Sequence, residues 1–257
     1  MPDDEFLQTA IEAARAAGQV IREQLHQAHR VRHKGPRDLV TEVDVMAESS
    51  IVRILSTRFP EHDVLTEETA APPRRSRYRW VIDPLDGTTN YAHGYPIFST
   101  SIALTLDDES IVGVVYDPLH ERLFHAQRGD GAYLNGERLH VSAVDQLGEA
   151  LIGLDWSSDL ETRATVVAAI GRLAGHVATM RVAGSAALVP CYVAAGWCEG
   201  YFHLELKPWD AAAAWLIVSE AGGRATSLDG RRWRLDDPDC LVSNGLIHEP
   251  LRELIRL

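Results

Sequence analysis

From Phe6 to Leu25, apolar residues recur at Phe6, Leu7, Ala10, Ile11, Ala14, Ala17, Ile21 and Leu25, with Arg15, Arg22 and Glu23 elsewhere on the cylinder. That period predicts an amphipathic helix with one buried stripe. A polar segment, 30–37, follows, and Lys34-Gly35-Pro36 reads as a mobile loop. Val45, Ile51, Val52, Ile54 and Leu55 mark a second helix, which Asp44, or Thr41 with Asp44 three residues on, can cap. This helix should end before Phe59-Pro60. Asp63-Val64-Leu65 then reads as a short strand leading to Thr66-Glu67-Glu68.

Trp80-Val81-Ile82 is an apolar run that meets Asp83-Pro84, with a second carboxylate in Asp86-Gly87-Thr88-Thr89. This reads as a strand delivering acid to its own end, or as an ordinary strand-ending turn. Pro84 fixes its own φ and pushes Asp83 toward an extended conformation, and Gly87 permits a tight turn. Phe98–Leu106, Ile111–Tyr116 and Arg122–Ala126 read as strands, with tight turns at Gly129-Asp130-Gly131 and Asn135-Gly136. Past a loose stretch at 142–150, strands and helices alternate. The expected elements are a strand at 151–156, a helix at 160–173, a strand at 177–182 and a helix opened by Gly184-Ser185-Ala186-Ala187. A strand at 201–206, an Ala-rich helix from Trp209-Asp210, a strand at 240–242 and a helix near 246–255 complete the chain. This divides it at about 145/146 into an N-terminal α+β unit, 1–145, and a C-terminal α/β unit, 146–257.

Composition adds limits to this picture. The 257 residues are 46% hydrophobic and 24% charged, enough to bury a substantial core. A formal net charge of −12, with no Lys/Arg block longer than the cluster at Arg74, Arg75, Arg77 and Arg79, disfavours nucleic acid. An acidic protein that handles an anionic substrate needs metal ions to reverse the local sign. Cys191, Cys198 and Cys240 form no Cys-x-x-Cys pair and read as reduced thiols of a cytoplasmic protein. The acidic start Met-Pro-Asp-Asp-Glu is unlike a signal peptide, and no apolar run approaches membrane-spanning length.

Glu67, Asp83, Asp86 and Asp210 are each preceded by apolar residues and each placed at an expected strand end or helix start. Singly, each has a plain explanation as turn former, cap or surface charge; together they indicate convergence. Hard divalent cations such as Mg²⁺ take oxygen ligands of this kind. Asp83-Pro84-Leu85-Asp86-Gly87-Thr88-Thr89-Asn90, Trp209-Asp210 with Glu220-Ala221-Gly222-Gly223, Thr66-Glu67-Glu68, and Asp38-Leu39-Val40-Thr41 with Asp44 occur in order over essentially the whole chain. In these four blocks the sequence resembles the inositol monophosphatase family within the Mg²⁺-dependent, lithium-sensitive phosphatases.

The resemblance implies a mixed α+β fold, a layered αβαβα sandwich of the sugar-phosphatase type. It implies that Glu67, Asp83 and the Leu85 carbonyl hold a first Mg²⁺ and that Asp83, Asp86 and Asp210 hold a second, with Glu67 helping to seat a third. Thr88, bonded to Asp44, is expected to orient the attacking water, Lys34 to add positive charge, and the backbone of Gly87 and Thr88 to receive phosphate oxygens. Substrate hydroxyls are expected at Asp86, Asp210 and Gly184-Ser185-Ala186. They are also expected at a glutamate seven residues before the Trp-Asp aspartate, where this chain carries His203. An imidazole accepts one hydrogen bond where a carboxylate accepts several. Glu205, two residues on, is a candidate replacement. The implied function is Mg²⁺-dependent hydrolysis of a small polyol or sugar phosphate, inositol 1-phosphate first, by a homodimer. Histidinol-phosphate or nucleotide 3′-phosphatase activity is the alternative within the class. A non-catalytic regulatory protein acting through a protein partner is the alternative outside it.

Overall fold

The computed structural model describes residues 2–25, 27, 31–35, 38–70 and 73–256, with side chains described at 4–25, 27, 39–70 and 73–256. Helix α1 (Pro2–Gln24) is followed by an antiparallel hairpin of β1 (Val31–Gly35) and β2 (Asp38–Thr41), and then by α2 (Glu42–Arg58). Where the sequence reads as a loop across 30–37, the described backbone pairs Val31 with Thr41 and His33 with Leu39. Short polar strands of this kind carry no alternating apolar signal, so periodicity does not reveal them.

A sheet of seven strands follows, in the order β3-β4-β5-β6-β7-β8-β9. Its members are β3 (Asp63–Thr66), β4 (Tyr78–Asp86), β5 (Ser99–Leu106), β6 (Glu109–Asp117), β7 (Arg122–Gln127), β8 (Gly131–Leu134) and β9 (Glu137–Arg138), with the short helix α3 (Thr88–Ala92) between β4 and β5. The pairing of β3 with β4 is parallel, and every later pairing is antiparallel. The remaining elements are β10 (Leu151–Leu154), α4 (Leu160–Leu173), β11 (Thr179–Val182), α5 (Leu188–Ala194), β12 (Gly200–His203), α6 (Pro208–Glu220), β13 (Arg224–Thr226), β14 (Cys240–Ser243) and α7 (His248–Ile255). Their strands form a mixed sheet in the order β11-β10-β12-β14-β13.

Alternation along the strands sorts side chains into layers. On β4, Trp80 and Ile82 join α1 and α2 in one core, whereas Val81 between them joins α5 and α6 in another. On the second sheet, Tyr201 and Val242 face α5 and α6, whereas Phe202 and Leu241 face α4 and α7. The stack is therefore α1/α2, seven-stranded sheet, α5/α6, five-stranded sheet, α4/α7: the αβαβα sandwich that the sequence implies. Successive strand side chains point to opposite faces, so one strand feeds two cores. Cys191, Cys198 and Cys240 are free and buried in the central layer.

Helix α6 lies between two sheets, and every residue from Ala211 to Val218 is buried. A helix apolar on all sides belongs in such a layer. Its run of alanines lets the backbone approach β6: a Cβ on Gly113 would stand 2.6 Å from the Ala213 carbonyl oxygen. Hydroxyls of the sheet anchor the same helix, with Ser110 donating to the Ala212 carbonyl at 2.8 Å and Ser101 to the Trp209 carbonyl at 3.2 Å. Gly113→Ala is therefore expected to push α6 off the sheet and to cost about 1–3 kcal/mol. In a thermal melt this reads as a fall of roughly 2–10 °C for a chain of this size. An unchanged melting temperature would contradict the close approach.

Candidate active site

Strand β4 continues through Asp83 to Asp86, where the sequence suggests that it stops at Asp83. Its pairing with β5 slips between these two acids, because Asp83 stands opposite Ser101 and Asp86 opposite Ser99. Three steps on one strand against two on the other make a bulge, a place where a strand tolerates Pro84 and re-aims its side chains. The Thr100 hydroxyl takes up the Pro84 carbonyl at 3.0 Å, and the Asp83 carboxylate accepts the Leu85 N–H at 3.0 Å. Gly87 then turns the chain at φ +85°; a side chain there would also press on the Gly184 and Ile97 carbonyl oxygens at 3.0 Å. The residue fits both the conformation and the space.

The other acids arrive from separate elements. Glu67 follows β3, with its N–H on the Ile82 carbonyl at 3.3 Å, which sets it beside the end of β4. Asp210 is the third residue of α6, and its carboxylate accepts the Lys207 N–H at 2.7 Å. Asp44 holds the same position in α2: Thr41 is the N-cap, its N–H and hydroxyl donating to Asp44 at 2.8 and 2.6 Å. The Thr88 hydroxyl lies 3.0 Å from both the other Asp44 oxygen and the Leu85 carbonyl. Asp44 is thus both cap partner and site neighbour, two uses that the sequence presents as alternatives.

The electrostatics follow from burial and crowding. Asp83 is 3% exposed, and its carboxyl is pushed well above the usual range, first by burial and then by the charges of Glu67, Asp86, Asp210 and Asp44. Burial likewise raises Asp210 strongly, with Glu67 and Asp86 adding to it. Burial raises Asp86 too, against donors that favour its ionised form: the hydroxyls of Ser185 and Ser99 and the Ala186 N–H at 2.8 Å. Those contacts correct the expectation that Gly184-Ser185-Ala186-Ala187 opens a helix. Helix α5 begins at Leu188, and Ser185 and Ala186 are spent on Asp86 instead of lying free at a helix start.

One cavity of about 480 Å³ brings together Glu67, Asp83, Leu85, Asp86, Gly87, Thr88, Gly184, Ser185, Ala186, His203 and Asp210. Asp44 stands behind Thr88, and the Lys34 side chain lies outside the described residues. The donor set around Asp83 is entirely oxygen, which suits a hard divalent cation. Among the described residues no three Asp, Glu, His or Cys side chains are closed into a ready-made metal cluster. The acids are near enough to repel one another.

Two further features escape the sequence reading, and a third departs from it. Glu48, 6% exposed and one turn beyond Asp44, accepts the Glu68 N–H at 3.1 Å and the Thr69 hydroxyl, and so fixes the turn that carries Glu67. Asp155 follows β10 and lines the cavity; it accepts the Gly184 N–H at 2.6 Å and the Tyr201 hydroxyl at 3.1 Å. Burial raises its pKa to about 7. An acid directly after an apolar strand is the signal that singles out the other acids, and it applies equally to Asp155. Finally, β12 stops at His203, and the Glu205 carboxylate turns to the 157–159 segment. There it binds the Ser157 hydroxyl and the N–H of Ser158 at 3.0 Å. It is therefore not the spare acceptor that period-two spacing suggests.

The profile of the inositol monophosphatase family matches residues 3–256. "Inositol monophosphatase 2" of Solanum lycopersicum is 40% identical over 241 residues, 90% of this chain and 91% of the relative. "Nus factor SuhB" of Haemophilus influenzae is 40% identical over 228 residues, 87% of this chain and 85% of the relative. The crystal structure of the extragenic suppressor protein suhB from Bartonella henselae superposes with a TM-score of 0.95 at 34% identity, covering 98% of both chains. Agreement in sequence, fold and the content of the acidic cavity leads to one conclusion: the chain belongs to the inositol monophosphatase family and is a phosphoric monoester hydrolase.

Proposed function

We propose that this chain hydrolyses the phosphomonoester of a small organic molecule with Mg²⁺ as cofactor, with inositol 1-phosphate the first polyol to test. The observation that carries the reading is Asp83, a buried carboxylate held in the field of Glu67, Asp86, Asp210 and Asp44. Family members are generally metal-dependent, and an all-oxygen set of mutually repelling acids fits that requirement. Glu67, Asp83, the Leu85 carbonyl, Asp86 and Asp210 would hold two to three ions, which supply positive charge and Lewis acidity to the phosphate and the attacking water.

This chain's own groups do the positioning. When Thr88 donates to Asp44, its hydroxyl oxygen keeps lone pairs to orient a water, and Asp44 is fixed to Thr41 on its other oxygen. Backbone N–H groups of Gly87 and Thr88, at the turn where Gly87 has φ +85°, would receive phosphate oxygens. Asp86 is aimed by Ser99, Ser185 and Ala186, and Lys34 on the β1–β2 hairpin adds positive charge. Phosphoryl transfer asks for positioning and charge neutralisation, and this set supplies them without a covalent nucleophile. In this reading 1–145 carries most of the ligands and 146–257 carries Asp210 and the leaving-group contacts, in a cytoplasmic homodimer.

Asp83→Asn removes a ligand and a repelled charge at once. Turnover should fall at least about 100-fold, while the melting temperature of the metal-free protein stays level or rises. Retained turnover with free phosphate as the readout would end the mechanism.

Asp83, Asp86 and Asp210 have folded pKa values above their unfolded ones. Their contribution to stability is therefore full below the unfolded value near pH 4 and is lost as pH rises through the folded values. Mg²⁺ should offset that loss. The rise in melting temperature on adding Mg²⁺ should be larger at pH 8 than at pH 5; equal rises would contradict a carboxylate site.

The name "Nus factor" carried by bacterial relatives favours a second reading, regulation through a protein partner. Light scattering with phosphate-release assays separates the readings. A homodimer with turnover supports the enzyme, whereas a chain that turns over no phosphomonoester with Mg²⁺ present points to the regulatory role.

A further inference from the structure

The arginine cluster that begins at Arg74 has no part in the acidic site. It opens on a second cavity, of about 930 Å³, between the edge strands of the two sheets: Leu65 of β3 and Ala225 of β13 both line it. Among the described residues this cavity shares no lining residue with the one around Asp83. Its apolar side is formed by Trp215 and Leu216 of α6 with Trp233 and Leu235 of the loop after β13. The Trp215 and Trp233 ring centroids lie 5.2 Å apart at 45°. Among the described residues neither indole N–H has an acceptor, so packing alone holds the two rings.

The polar side is mostly arginine and carboxylate already drawn together. Asp108 accepts from Arg74 on both oxygens, at 2.7 and 2.6 Å. Glu109 accepts from Arg128 at 3.3 Å and, closer, from Arg232. Asp107 accepts from Arg77 at 3.0 Å, and Asp236 stands 3.7 Å from Arg234. Glu220 accepts the N–H groups of Gly129 and Gly131 at 2.8 and 3.0 Å.

Arg79 is the exception. Strand alternation puts it on the face of β4 from which Val81 enters the central core. It lines the cavity half-buried and, among the described residues, its guanidinium has neither a hydrogen bond nor an ion pair. Asp63, opposite it on β3, gives its carboxylate to the N–H groups of Arg75 and Ser76 at 2.7 and 2.8 Å instead. A guanidinium drawn out of water normally finds a counter-charge.

We propose that this cavity is a second ligand site, which binds a nucleoside polyphosphate with its phosphates at Arg79 and its base against the Trp215–Trp233 side. The guanidinium fork of Arg79 matches a pair of phosphate oxygens. Arg128 and Arg232 are held to Glu109 by exposed ion pairs, which are weak enough to be exchanged for a phosphate. The indoles offer a planar base a surface to stack on. The volume suits a small organic ligand, and the net charge of −12 on the chain favours a short anion over a long polyanion.

The probe is ATP, titrated calorimetrically into the whole chain in EDTA at low salt. Without metal the acidic cavity repels anions, so this measurement stands apart from the phosphatase reading. The wild type should bind one ATP, with affinity that falls as salt is added. Inorganic triphosphate should bind at least about tenfold more weakly, because it has no base to stack. Arg79→Gln should weaken ATP at least about tenfold, and Arg79→Lys should recover part of that loss. Arg232→Gln, on the exposed loop, should also weaken it and keeps the question open to test if Arg79→Gln melts early. Asp83→Asn should leave the affinity unchanged. No binding by the wild type, equal affinity for triphosphate, an affinity indifferent to Arg79 and Arg232, or one that changes in Asp83→Asn overturns the proposal.

Discussion

Ionising Asp83 is costly where the fold puts it, because burial and its neighbours push its carboxyl well above the usual range. Moving one carboxylate out of water costs several kcal/mol even after the protein relaxes, and Glu67, Asp86, Asp210 and Asp44 add repulsion to that cost. A domain has roughly 5–15 kcal/mol of net stability to set against such terms. The chain therefore has two ways to live with the cluster: hold protons, which the raised pKa values express, or hold cations. The second way also places positive charge where a phosphate must be received, so the penalty and the function share one origin.

That cluster exists because four pieces of backbone are held at one spot by interactions that have no chemical role. The bulge in β4 separates Asp83 from Asp86 by three residues against two on β5. The parallel pairing of β3 with β4, together with Glu48 behind it, fixes the turn bearing Glu67. Two helix starts use the same device, an acid at the third position accepting the N–H of the preceding cap residue. It aims Asp44 in α2 and Asp210 in α6. Helix α6 reaches its place only because alanines face a glycine across the sheet. The small residues of the central layer thus belong to the site as much as the acids do.

Most of this was legible in the residues. Helical and alternating periodicities marked the major elements, and acids directly after apolar runs marked Glu67, Asp83 and Asp86. Pro84 and Gly87 bracketed a turn whose real form is a bulge followed by a left-handed residue. Features that depend on long-range partners were hidden. The β1–β2 hairpin lacks a hydrophobic pattern, and the start of α5 four residues after Gly184 reflects Ser185 and Ala186 being drawn to Asp86, about a hundred positions away. Glu48 reads as an ordinary polar helix residue until Glu68 and Thr69 are seen to lie against it. Tertiary hydrogen bonds outrank local propensity at all three places.

The distal wall shows the same logic from the side of unmade bonds. Buried polar groups are nearly always paired, so a site is recognised by the few that the protein leaves open. Around Asp155 and Glu205 the chain aims its own donors at the carboxylates and so fixes their orientation, and it uses the Glu205 N–H to close one nitrogen of His203. What remains is a single N–H on a ring whose tautomer is fixed by backbone geometry and whose charge is suppressed by burial.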